Sequence, residues 1–149
     1  MTGTIESSAF PHRKTAPDVP TVSSAVEALE GEVRVLRRSI HQEPELGFEE
    51  HETTRKVMEF LRGAGLEPVK LADTGCSVEI GEGPLVLGLR ADIDALPVEE
   101  LTGLPYASKR HGLAHACGHD MHTSVMAGTA VALHSILTGQ VEDEDLKEA

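Results

Sequence analysis

The stretch Leu85-Val86-Leu87-Gly88-Leu89-Arg90-Ala91-Asp92-Ile93-Asp94-Ala95-Leu96-Pro97 decides how the chain is read. Its first five residues form a continuous apolar run, the mark of a strand covered on both faces. The run ends in two acids, Asp92 and Asp94. An open α/β sheet builds its site at the carboxyl ends of such strands. The same acids also read as helix caps or turn formers. Upstream, Ser77-Val78-Glu79-Ile80 alternates as a half-buried strand, Val69 and Leu71 suggest another, and Gly81-Glu82-Gly83-Pro84 is a turn.

Helical patterns lie on either side of these strands. Val22, Val26, Leu29, Val33, Leu36 and Ile40 recur at steps of four and three, the apolar stripe of an amphipathic helix. Ser24 with Glu27 reads as a capping box at its start, and Pro44 disfavours helical geometry at Glu43. His41, at the end of this helix, reads as a capping or packed histidine. A turn at Glu45-Leu46-Gly47-Phe48 leads to a second helix near 49–62, acidic in its first turn, basic later and closed by Gly63 and Gly65. Its buried face is expected to hold Val57, Phe60, Leu61 and Ala64. A third helix is expected near 120–138, with Met126, Ala130, Leu133 and Leu137 on one face. Its Ala127, Gly128 and Ala132 are small enough for close packing on a sheet.

The third helix is entered through His115-Ala116-Cys117-Gly118-His119-Asp120-Met121-His122, which concentrates three imidazoles, a thiol and a carboxylate. Thiolate and neutral imidazole are the ligands of borderline metals such as zinc. Cys117 and His119 are too close in sequence to share one face of a continuous helix, but a bend at Gly118 aims both at one point. A helix entrance also favours a thiolate through its dipole and free N–H groups. The competing reading is a His-rich surface loop beside an ordinary buried cysteine. His122 is placed to face the site from the first turn of the helix, and His134 reads as surface.

Composition narrows the field. A 149-residue chain is long enough for one domain with a substantial core. A formal net charge of −12 argues against binding a phosphate backbone, and 3% aromatic residues leave no stacking platform for single-stranded nucleic acid. No run is long and apolar enough to span a membrane. Cys76 and Cys117 make no disulfide framework, so a cytoplasmic setting is expected. Residues 1–21 read as a disordered leader, 22–139 as the folded domain and 140–149 as an acidic tail.

Three segments, in order, resemble one family: His41-Gln42-Glu43-Pro44-Glu45-Leu46-Gly47-Phe48-Glu49-Glu50, Arg90 through Pro97, and His115 through Asp120 with His122. They look like the metal-dependent amidohydrolases of the aminoacylase/carboxypeptidase clan, in the branch of hippurate hydrolase, auxin-conjugate hydrolase and N-acetyl-diaminopimelate deacetylase. The resemblance runs over residues 30–135. It implies an α/β fold, a partial zinc-peptidase-like catalytic domain with a mixed sheet flanked by helices, lacking the later strands and the inserted dimerisation domain. It also implies hydrolysis of the amide bond of N-acyl amino acids or small peptide-like substrates, at a centre of two divalent metal ions (zinc, manganese, cobalt or nickel).

By the same resemblance Cys117 and His119 are metal ligands, Asp92 is the catalytic carboxylate, and Asp94 and Asp120 are supporting groups. Arg90 stands where other branches of the clan carry a ligand histidine. The family next supplies a glutamate pair, one member being the general base, and then a ligand Glu and two ligand His. Nothing after His122 matches these. A truncated chain with little amidase activity of its own is therefore expected, completed by a carboxy-terminal fragment or self-associating. The alternative is a non-catalytic metal-binding protein or a nonfunctional remnant.

Overall fold

The computed structural model describes residues 19–84 and 87–140. Helix α1 spans Val19–Gln42, α2 His51–Gly63 and α3 His119–Thr138. Between α2 and α3 stands a two-stranded antiparallel hairpin, β1 Val69–Lys70 and β2 Cys76–Ser77, with Val69 opposite Ser77. This is a helix-rich part of an α/β fold with a small sheet. Most of the expected leader and acidic tail lie outside the described residues.

Helix α1 begins at Val19, inside the stretch read as leader, so Ser24 and Glu27 sit within the helix and form no capping box. Its end is where Pro44 places it. Leu36 and Ile40 join Val57, Leu61, Leu66, Ala127 and Val131 in the core, with Val78 and Ile80 of the post-hairpin segment packed against them. The stripe fades toward the amino end, where Val22 is 41% and Val26 55% exposed.

Helix α2 starts with a cap supplied from outside the helix. The buried Glu45 carboxylate accepts the backbone N–H groups of Glu52 at 3.1 Å and Thr53 at 2.8 Å, and the Thr53 hydroxyl at 2.9 Å. These satisfy donors that no helix can satisfy itself. The Glu45 carbonyl also accepts the Ala95 N–H at 2.7 Å, which fastens the 90–97 segment to the α1–α2 corner.

The inward face of α3 holds the small residues expected to pack closely, but not the larger Leu133 and Leu137 of its apolar stripe. Asp120, Thr123, Ser124, Ala127, Gly128, Val131 and Ala132 are buried, whereas Leu133 and Leu137 are exposed. The small residues meet a helix rather than a sheet: a Cβ on Gly128 would lie 2.8 Å from Cγ2 of Val33 on α1. Close approach of the two backbones is what the missing side chain permits.

Of the strand expected at Leu85–Leu89, the described part, residues 87–89, is not a covered element. Residues 85 and 86 lie outside the described residues, while Leu87 is 81% and Leu89 57% exposed and neither is in a strand. An apolar segment becomes a buried strand only with neighbours to complete its hydrogen-bond ladder, and among the described residues no strand lies beside it. Further on, Leu96 exchanges both backbone hydrogen bonds with Ala114 at 3.0 Å. That bridge closes the 97–113 loop and delivers His115 to the start of the Cys117–His119 bend.

Candidate metal centre

Gly118 is the residue preceding α3 and adopts φ 78°, a left-handed conformation that favours glycine. Its carbonyl accepts the Met121 and His122 N–H groups, so the bend and the first helical turn are one unit. Cys117, just before the bend, is exposed, and so is His122. The His122 ring lies 5.7 Å from that of His119, centroid to centroid.

His119 is held by the 90–97 segment. Its Nδ1–H donates to the Asp94 carboxylate at 2.9 Å and to the Asp94 carbonyl at 3.0 Å. That fixes the ring and leaves Nε2 as the free lone pair. A histidine whose other nitrogen is anchored on a carboxylate or carbonyl is the usual form of a metal-ligating imidazole. The segment is itself tied to α3, because the Thr123 hydroxyl donates to the Asp92 carbonyl at 3.0 Å.

The Asp92 carboxylate is placed differently. It is half exposed and paired with Arg90. The structure therefore brings Cys117 and His119 onto one bend, with Asp94 rather than Asp92 against the ring. A signal for this was present in the sequence, since Asp94 belongs to the same acidic segment, but nothing in the spacing ranks it above Asp92. Among the described residues no group of three His, Cys, Asp or Glu side chains is gathered closely enough to hold a metal ion. A thiol and an imidazole are donor types that suit a borderline metal, and among the described residues Cys117 and His119 are the pair the bend carries.

Behind the bend the interior is polar. Asp120 is fully buried; its Oδ2 lies 2.7 Å from Arg37 Nε and accepts the His41 Nδ1–H at 2.8 Å. The other His41 nitrogen is 3.2 Å from Glu100 Oε1. Burial works to raise the Glu100 pKa, but hydrogen bonds from Thr102, the Ser108 backbone and His41 prevail and hold it down at about 2. His115 is buried beside His41, its ring stacked at 6.4 Å, and neither of its nitrogens has a partner. Burial pushes its pKa below the ordinary histidine value. The sequence reading of His41 as a packed histidine holds, though its carboxylate partners were invisible to it.

Comparison with known proteins agrees with these features. The profile of the peptidase family M20/M25/M40 matches residues 88–145, the span from the acidic segment through the bend and α3. The N-acetyl-L-cysteine deacetylase of Bacillus subtilis (strain 168) is 45% identical over 134 residues, covering 83% of this chain and 32% of the deacetylase.

The chain is related to the M20 peptidases.

The hippurate hydrolase of Campylobacter jejuni is 43% identical over 110 residues, with 72% of this chain and 29% of the hydrolase covered. Among solved M20 structures, the YxeP protein of Bacillus subtilis, described as a dinuclear metal-binding peptidase, superposes with a TM-score of 0.69 at 41% identity. That superposition covers 74% of this chain and 32% of YxeP. The chain spans about a third of the length of the curated M20 relatives it matches. The expected resemblance and the partial α/β catalytic fold are thus both found.

Proposed function

We propose that the chain carries the bend-borne part of a divalent-metal centre for hydrolysing the amide bond of N-acyl amino acids. The observation that carries this is His119, clamped through Nδ1 by Asp94 with Nε2 free, one residue beyond the glycine bend from an exposed Cys117. In this reading Cys117 and His119 are the metal ligands. Asp94 fixes the tautomer and direction of His119. Asp92 is the active-site carboxylate and has to leave Arg90 to reach the centre. A bound divalent ion supplies polarisation of the amide carbonyl and a more acidic bound water. The relatives named as a deacetylase and a hippurate hydrolase support the substrate class, and YxeP's dinuclear description supports two ions, with zinc, manganese, cobalt or nickel as candidates.

A catalytic zinc ordinarily has three protein ligands and an open position. With two donors on the bend, the 149-residue chain alone is expected to bind metal weakly and turn over little, and full activity requires a partner that supplies further donors and a general base. No described helix is long and apolar enough to cross a membrane, and neither cysteine is in a disulfide; the latter suits a reducing, cytoplasmic setting. The second reading is a metal-binding protein without catalysis, in which the exposed Cys117 beside the clamped His119 serves binding alone.

Titration with Co²⁺ tests the centre. A sulfur-to-cobalt charge-transfer band that disappears in Cys117→Ser is expected, and no band in the parent chain would overturn the reading. Assays on N-acetyl-L-cysteine and hippurate then separate the two readings. Metal-dependent turnover, alone or with an added complementing fragment, supports the hydrolase; stoichiometric metal with no turnover in either case supports the binding protein.

A further inference from the structure

The two residues that bracket the bend, His115 and Asp120, are both buried and both rest on one side chain of α1. His41 donates through Nδ1 to Asp120 at 2.8 Å and stacks on the His115 ring at 6.4 Å with an interplanar angle of 28°. We propose that His41 is a positioning residue for the metal turn, holding both of its ends so that Cys117 and His119 point to one place. The inference rests on the metal reading above.

Two features argue that this contact sets direction rather than merely adding stability. Asp120 follows His119 directly on α3, so their side chains leave the helix about 100° apart. Fixing the Asp120 carboxylate from α1 therefore fixes the rotation of the turn that carries His119. The ring of His119 is meanwhile clamped from the opposite segment by Asp94. Secondly, the contact is a costly way to hold two helices together. The tie uses a fully buried carboxylate whose Oδ1 has no partner, beside a buried imidazole with two orphaned nitrogens. Apolar residues of similar volume often stabilise a buried site as well or better. A charged, directional tie is expected where geometry matters, and it is expected to act on metal affinity through the outer ring of contacts.

The test measures Co²⁺ affinity and the charge-transfer band of the folded 149-residue chain, with metal-free melting followed in parallel. His41→Phe keeps a ring for His115 and removes the donor to Asp120; His41→Asn keeps an N–H donor near the Nδ1 position. His41→Phe is expected to weaken Co²⁺ binding about ten- to a hundred-fold, on the scale seen for outer-shell partners of metal ligands, and to shift the band, with His41→Asn recovering most of the loss. Thr54→Val, which removes a buried hydroxyl that accepts the Gly75 N–H at 2.7 Å on α2 away from the turn, is expected to lower the melting temperature and leave affinity and band unchanged. Parent-like affinity and band in His41→Phe would overturn the inference. Should His41→Phe fail to fold, Arg37→Met, which removes the second tie to Asp120, decides by the same readout. A parent chain that binds no Co²⁺ overturns the metal reading itself, a result distinct from binding that ignores residue 41.

Discussion

At the scale of single residues, the proposed centre rests on Cys117, His119 and the groups that aim them. Asp94→Asn keeps the shape of the side chain but replaces the charged acceptor at His119 Nδ1 with a neutral amide. Removing such a partner typically costs 10- to 100-fold in metal affinity, so Co²⁺ titration of Asp94→Asn is expected to show a loss in that range while the chain stays folded. Cys117 and His119 stand out in the sequence because their chemistry is rare and their spacing short, and the structure sets them on either side of one glycine bend. The resemblance separates Asp94, as a supporting group, from Asp92, but residue spacing alone does not, since the two acids differ only in which one the backbone turns toward α3. That turn is set by the Thr123 hydroxyl on the Asp92 carbonyl and by the Glu45 carbonyl on Ala95, contacts between segments far apart in sequence. The same holds for Glu45 as a helix cap. An acid several residues ahead of a helix looks like part of a turn until the turn folds back.

At the scale of elements, the three helices were readable because each carries an apolar stripe and a proline or glycine stop, while the start of α1 was misplaced and that of α2 is capped from outside the helix. On α3 the small residues expected to pack closely do so, but against α1 rather than a sheet. Large apolar residues at Leu133 and Leu137 outrank alanine and glycine on any hydrophobic scale, yet the small residues are the ones that let α1 and α3 approach. Gly128→Ala tests this directly. Its Cβ would lie 2.8 Å from Val33 Cγ2, and overpacking of this kind costs about 1–3 kcal/mol. The double variant Gly128→Ala/Val33→Ala is expected to recover part of that loss in denaturant unfolding, a coupling that independent sites do not show. At residues 87–89, the described part of the expected strand, expectation and structure differ for another reason. Its composition is that of a strand, but pairing is a property of neighbours, and the apolar run carries no information about whether they are present.

For the molecule as a whole, exposed apolar side chains and a polar interior make separate predictions. Leu87, Leu89, Val98 and Leu101 are 81%, 57%, 46% and 89% exposed along one loop-rich segment. Apolar surface of this kind favours association. Sedimentation velocity is therefore expected to show species heavier than the 15.9 kDa chain, shifting with concentration. The interior makes the fold acid-sensitive. Glu100 titrates at about 2 in the fold against an ordinary 4.5. Between those values the unfolded chain binds the proton and the folded chain does not, so stability present above pH 4.5 is lost as pH falls toward 2. Melting followed by circular dichroism is expected to drop across that window, and less steeply in Glu100→Gln.

Tyr106 gives the fold an optical consequence. It is the only tyrosine in a chain without tryptophan, and its ring packs edge-on against His41 at 5.6 Å with the Arg38 guanidinium over its face at 4.7 Å. Nearly all intrinsic fluorescence therefore originates from one ring seated where the 97–113 loop docks on α1. Emission from the unlabelled protein becomes a local gauge of whether that loop is seated, read independently of helix content.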